Sequence, residues 1–150
     1  MAIISFDLGR ILMVKYPEQP TLSDGTSQHI TQNWHPAVII ADPKYLGRPR
    51  FRDTLYQIIP ATTYKPEFAW AKNQHLYPMI TSREGGFKND SVILLDQIMT
   101  LDLNYLLARA MQEQHLKMKV IGSLNQAEMQ TLLDALVHFL QAQKLTHLEC

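Results

Sequence analysis

The sequence predicts a mainly β domain of the α+β kind, with short strands rolled into a small barrel and one helix closing the chain. Three observations carry that prediction. Short runs of β-forming residues, each bounded by Pro, Gly or Asp, recur through the front two thirds of the chain. One of them, Pro36-Ala-Val-Ile-Ile-Ala41, is apolar without alternation, as in a strand buried on both faces. After Asn125 the apolar period changes to three- and four-residue steps, which gives a helix one apolar face. A length of 150 residues suits one domain covering positions 1–150.

The elements follow in order. Gly9 to Tyr16 is rich in β-formers and stops at Pro17. Pro17 to Trp34 is a long polar loop, of the kind that is usually functional or mobile. The Pro36–Ala41 strand follows, then a loop from Asp42 to Asp53 and a strand over Thr54–Ile59 that ends at Pro60-Ala-Thr-Thr63. A third loop spans Tyr64 to Asn73. His75 to Thr81 reads as an edge strand, since Pro78 has no N–H for a ladder. Gly85-Gly86 makes a turn, and Ser91–Asp96 is again an apolar strand. Asp102 can cap a short helix over Leu103–Met111, and Leu116–Ile121 is one more strand, ended by Gly122. Asn125 and Glu128 have capping-box spacing. Behind them Met129, Leu132, Leu133, Leu136, Val137 and Leu140 form the apolar stripe that packs on the sheet.

Composition removes several function classes. Apolar residues are 46% and charged residues 19%, too apolar for a disordered chain. Fourteen bases balance fourteen acids, so the chain as a whole is neither a basic coat nor an acidic tail. A lone cysteine, Cys150, closes no internal disulfide and builds no zinc cage, and the expected compartment is the reducing cytoplasm. No leader is expected, because Asp7 arrives early and no basic residue precedes it. Apolar runs reach about five residues, against the ~20 that cross a bilayer, so no membrane role is expected. The six histidines show neither i,i+4 pairing nor a Cys/His cluster, and Gly85-Gly86 lacks phosphate-loop spacing. No metal and no cofactor are therefore expected.

Charge is unevenly spread. Between Lys44 and Lys88 stand eight bases and three acids, and from Asn89 onward acids dominate. Tyr45, Phe51, Tyr64, Phe68, Trp70 and Tyr77 are interleaved with those bases. Such a stretch either tracks a phosphate backbone and stacks bases, or is a solvated loop face anchored by half-buried rings.

One succession of motifs spans Gly9 to Leu140. It runs Gly9-Arg-Ile-Leu-Met-Val, His35-Pro-Ala-Val-Ile-Ile, Ile59-Pro-Ala-Thr-Thr63, Ser91-Val-Ile-Leu-Leu-Asp-Gln-Ile-Met-Thr-Leu-Asp102 and Val120-Ile-Gly-Ser-Leu124, then an amphipathic helix. It resembles the MazF/PemK family of toxins from bacterial toxin–antitoxin pairs. The resemblance implies an SH3-like barrel of the CcdB/PemK type, a homodimer, and metal-independent cleavage of single-stranded RNA. It also implies a cognate antitoxin that blocks the groove and joins the toxin on operator DNA. Thr62, and after it Thr63, match the strand end where the family places a catalytic or substrate-positioning hydroxyl. Asp96 and Gln97 match the Asp-Gln pair that borders the RNA groove. Where the family has an arginine directly before the apolar strand, this chain has His35, and Arg10 stands where an acid is usual.

RNA cleavage by the ribose 2′-OH needs a base, an acid and donors for the charge growing on phosphorus. His35 can serve as imidazolium charge or as a proton carrier; otherwise it is a strand-start residue with a backbone partner. Arg48, Arg50 and Arg52 lie on one side if their segment is extended, and there they restore positive charge. Trp34 stacks a base or wedges the loop onto the barrel. Two readings compete with a nuclease weakened or retuned by loss of the arginine. One is a catalytically silent module binding RNA, DNA or antitoxin, and the other is a CcdB-like gyrase poison working through its helix end.

Overall fold

A computed structural model describes residues 8–16, 21, 23–25, 31, 33–41, 55–68, 77–102 and 120–141. Among the described residues seven strands and one α-helix follow one another: β1 (Arg10–Tyr16), β2 (Asn33–Ala41), β3 (Leu55–Thr63), β4 (Met79–Ile80), β5 (Ser91–Ile93), β6 (Met99–Asp102), β7 (Val120–Ser123) and α1 (Gln126–Gln141). The described strands pair antiparallel in the order β4-β5-β3-β2-β1-β7, with β6 on β3. This is the mainly β architecture with a C-terminal helix that the sequence predicts.

Burial splits by residue parity, as strand geometry requires. Ile11, Val38, Ile59 and Ala61 form one cluster with Ile93, Leu95, Met129 and Leu132 beneath the helix. Leu12, Val14, Tyr16, Ala37, Ile39, Tyr56 and Ile58 form the second, on the opposite face, with Met99 against it. The Ala37–Val38–Ile39 run lies fully buried between the two, which explains its lack of polar alternation.

The sheet rolls until its two ends meet. Gly85 in the turn after β4 accepts a hydrogen bond from the Ser123 N–H of β7 at 2.8 Å. The Leu124 N–H donates to Gly9 O at 2.9 Å, and the Gly9 N–H donates to Ile39 O at 2.8 Å. Arg83 fastens the same seam. Its guanidinium donates to Ser123 O at 2.7 Å and pairs with Glu128 at 2.6 Å. Glu128 is also the third residue of a formed capping box: Asn125 N–H donates to its Oε1 at 2.9 Å, and its own N–H donates to Asn125 Oδ1 at 2.8 Å.

Several elements differ from the sequence reading. β2 begins at Asn33 and so takes in Trp34 and His35; β3 continues through Pro60 to Thr63. Pro60 is tolerated because its carbonyl, which it keeps, accepts from the Leu94 N–H at 2.9 Å. Of the His75–Thr81 strand, residues 75–76 lie outside the described residues, and among 77–81 Met79–Ile80 is the strand, an edge strand as expected. The Ser91–Asp96 strand stops at Ile93, and a 3-10 turn covers Leu95–Gln97. β6 had no counterpart in the sequence reading. The helix expected at Leu103–Met111 lies outside the described residues, as does the start of the Leu116–Ile121 strand. On α1 Met129 and Leu132 are buried, and Leu133, Leu136 and Phe139 pack partly buried against the same cluster, whereas Val137 and Leu140 are exposed. Val137 points away from that cluster, and Leu140 lies in the final turn of the helix.

Candidate functional site

The middle of the barrel wall comes apart at two prolines. The β2–β3 ladder runs from Ala41↔Gln57 to Ala37↔Pro60 and ends there. Pro36 lacks the N–H that would continue it, whereas Pro60 turns its carbonyl away from β2, to the Leu94 N–H. Beyond that point β2 stays on β1, with Val14↔His35 and Lys15↔Trp34, while β3 crosses to β5, with Thr62↔Val92 and Thr63↔Ser91.

His35 and Thr62 stand on the two sides of this opening, each two residues past the last pair. His35 shares the parity of Ala37 and Ile39, and Thr62 that of Ile58 and Pro60. Since Ala37, Ile39 and Ile58 pack in one cluster, both side chains issue from the same face, the one opposite the helix. Both are half-buried. The His35 ring meets Tyr16 edge to face, with centroids 6.5 Å apart and planes at 74°. Trp34 and Thr63 have the other parity, so they leave their strands from the opposite face; Trp34 is 44% exposed.

The 3-10 turn Leu95–Gln97 borders the opening. Gln97 Oε1 accepts from the Thr31 N–H at 2.6 Å, tying the turn to the approach to β2. Asp96 is exposed, and its Oδ2 accepts from the Tyr77 phenol at 2.9 Å. Burial, then the Asp96 hydrogen bond and charge, push that phenol up to about 12. Phe68 meets Tyr77 edge to face, with centroids 5.8 Å apart. Arg48, Arg50 and Arg52 lie outside the described residues.

Tyr16 had no signal in the sequence beyond closing a β-forming run. It is 4% exposed, and its hydroxyl has no hydrogen-bond partner among the described residues. Burial pushes its phenol far above the ordinary tyrosine range. Arg83 was likewise only one base among eight, because its partners are backbone and side-chain groups about 40 positions away. Among the described residues no His, Cys, Asp or Glu group is placed to hold a metal ion, and no helix is long and apolar enough to cross a membrane.

A family model described as "PemK-like, MazF-like toxin of type II toxin-antitoxin system" matches residues 9–140. The chain belongs to this toxin family. Membership in the PemK/MazF-like family implies a cognate antitoxin as partner. Among solved structures, form I of MazF from Deinococcus radiodurans superimposes with a TM-score of 0.57. That match covers 92% of this chain and 98% of the MazF chain at 14% identity, a likeness of fold. A search of curated proteins found no match. The resemblance drawn from the sequence motifs is thus shown for both family and fold.

Proposed function

We propose that this PemK/MazF-like toxin cleaves single-stranded RNA without a metal ion, on the face shared by His35 and Thr62. The observation that supports it is their placement across the gap where the β2–β3 ladder ends, in a chain of this family. The ribose 2′-oxygen attacks the adjacent phosphorus, a 2′-O–P bond forms, and the 5′-O–P bond breaks. His35 takes the 2′ proton, and its imidazolium returns a proton to the departing 5′ oxygen. The Thr62 hydroxyl donates to a non-bridging oxygen as charge grows there, and loss of one such donor costs about 10²–10³ in rate. Arg48, Arg50 and Arg52 supply the positive field that the family's arginine otherwise gives. Gln97 and Asp96 border the RNA path; Thr63 and Trp34 leave their strands from the opposite face and stand outside it. The working unit is a cytoplasmic homodimer, silenced by its antitoxin, with which it binds operator DNA.

Incubation of the purified chain with single-stranded RNA, with and without EDTA, tests the reading. Cleavage is expected in both, falling about tenfold or more in His35→Ala. Loss of cleavage in EDTA, or full activity of His35→Ala, would overturn the mechanism. Binding of RNA with no cleavage at all would leave the silent module in its place.

A further inference from the structure

We propose that Tyr77, braced by Phe68 and Asp96, is a stacking platform for an unpaired RNA base beside the His35–Thr62 face. The inference rests on the RNA-cleavage reading and adds a subsite to it. Tyr77 and Phe68 are partly open to solvent. Two contacts hold Tyr77 from different directions: the Phe68 ring at 87° to its plane, and the Asp96 carboxylate at 2.9 Å from its hydroxyl. An aromatic ring already fixed at both body and tip loses little freedom when a base settles on it, which favours binding by preorganisation. Stacking on such rings is sequence-tolerant and is how single strands are held between phosphate contacts.

Position supports the same ligand. Asp96 and Gln97 are neighbours on one turn, and each ties a different segment to it. Asp96 holds Tyr77, and Gln97 holds Thr31, four residues before His35. Thr31 and His35 are then at most about 14 Å apart along the chain, a few nucleotides' reach. Lys65, exposed, opens the turn that carries Phe68, and its carbonyl accepts from the Phe68 N–H at 2.9 Å.

Anisotropy of a labelled oligouridylate of roughly 12 nucleotides, in the 2′-O-methyl form that lacks the attacking hydroxyl, reads the subsite directly. An abasic strand of equal length and charge is the comparison. The wild-type chain is expected to prefer the base-bearing strand about tenfold, Tyr77→Ala to lose that preference, and Tyr77→Phe to keep most of it. Equal wild-type affinity for the two strands, or an unchanged preference in Tyr77→Ala, would overturn the platform even if cleavage stands. The wild-type comparison decides the matter if Tyr77→Ala does not fold. Failure of the wild-type chain either to bind or to cleave any RNA would remove the nuclease reading itself.

Discussion

Gly122 of β7 lies so close to Gly86 that a Cβ on it would sit 2.7 Å from the Gly86 carbonyl oxygen and 2.8 Å from that of Gly85. Both obstacles are backbone, in a turn already bonded to the neighbouring Ser123. Gly122 is thus where the rolled sheet closes on itself, and only hydrogen fits. Gly122→Ala is expected to destabilise by about 1–3 kcal/mol, as overpacking does. Urea unfolding of the variant measures it, and a midpoint equal to wild type would mean that the seam opens freely.

Arg83 spans the same seam, and its role depends on the fork of its guanidinium. Nε and one terminal nitrogen reach Glu128, and the terminal nitrogens also reach Ser123 O and Glu84 O. Arg83→Lys keeps the charge but cannot reproduce those directions. Both Arg83→Lys and Arg83→Ala are expected to lower stability, by about 1–3 kcal/mol for the latter. Full stability of the lysine variant would reduce the contact to a screened surface pair.

The strands near these seams show what the sequence makes legible. β1, the buried run of β2, the Asn125–Glu128 helix start and the glycine turn are local patterns, and each is found where its residues announce it. Trp34 and His35 escaped because Pro36 resembles a strand boundary; it is tolerated inside β2 because the ladder toward β3 ends beside it. β6 escaped because Met99–Asp102 is four residues long and its partner is β3, about 40 positions earlier. For the site, the motifs named His35 and Thr62 separately. Their common face follows from the register Ala37↔Pro60, a non-local pairing that no window of sequence contains.

Tyr16 buries a hydroxyl with no hydrogen-bond partner among the described residues, and an unpaired buried polar group costs about 1–3 kcal/mol. Tyr16→Phe keeps the ring against His35 and removes that cost. The variant is expected to melt higher than wild type. A lower melting temperature would reveal that the hydroxyl is satisfied.

Tyr77 makes stability depend on pH at the alkaline end. Its phenol is raised from 10.0 to about 12, chiefly by burial and next by Asp96. The fold therefore favours the protonated form. The resulting stabilisation is complete below pH 10 and fades as pH climbs from 10 toward 12. Tyr77→Phe is expected to flatten this part of the stability curve, measured by urea midpoints across that window. In Asp96→Asn the phenolate absorbance of Tyr77 is expected to rise at lower pH than in wild type. An unmoved titration in Asp96→Asn would show that the carboxylate does not act on the phenol.

Thr62 and Thr63 are adjacent in sequence but leave β3 from opposite faces, and this separates their roles. Thr62 is half-buried on the side of His35, while Thr63 is exposed on the other side. Valine replaces either threonine almost isosterically and suits a strand, so neither change should disturb β3. In the nuclease reading Thr62→Val is expected to lose about 10²–10³ in cleavage rate, by loss of a donor to the growing charge. Thr63→Val is expected to stay within about threefold of wild type, a change too small for a lost donor. Initial rates on one single-stranded RNA substrate compare the two directly. The reverse ranking would place the reacting phosphate on the Thr63 side and take His35 out of its reach, because one extended strand cannot turn neighbouring side chains to the same face.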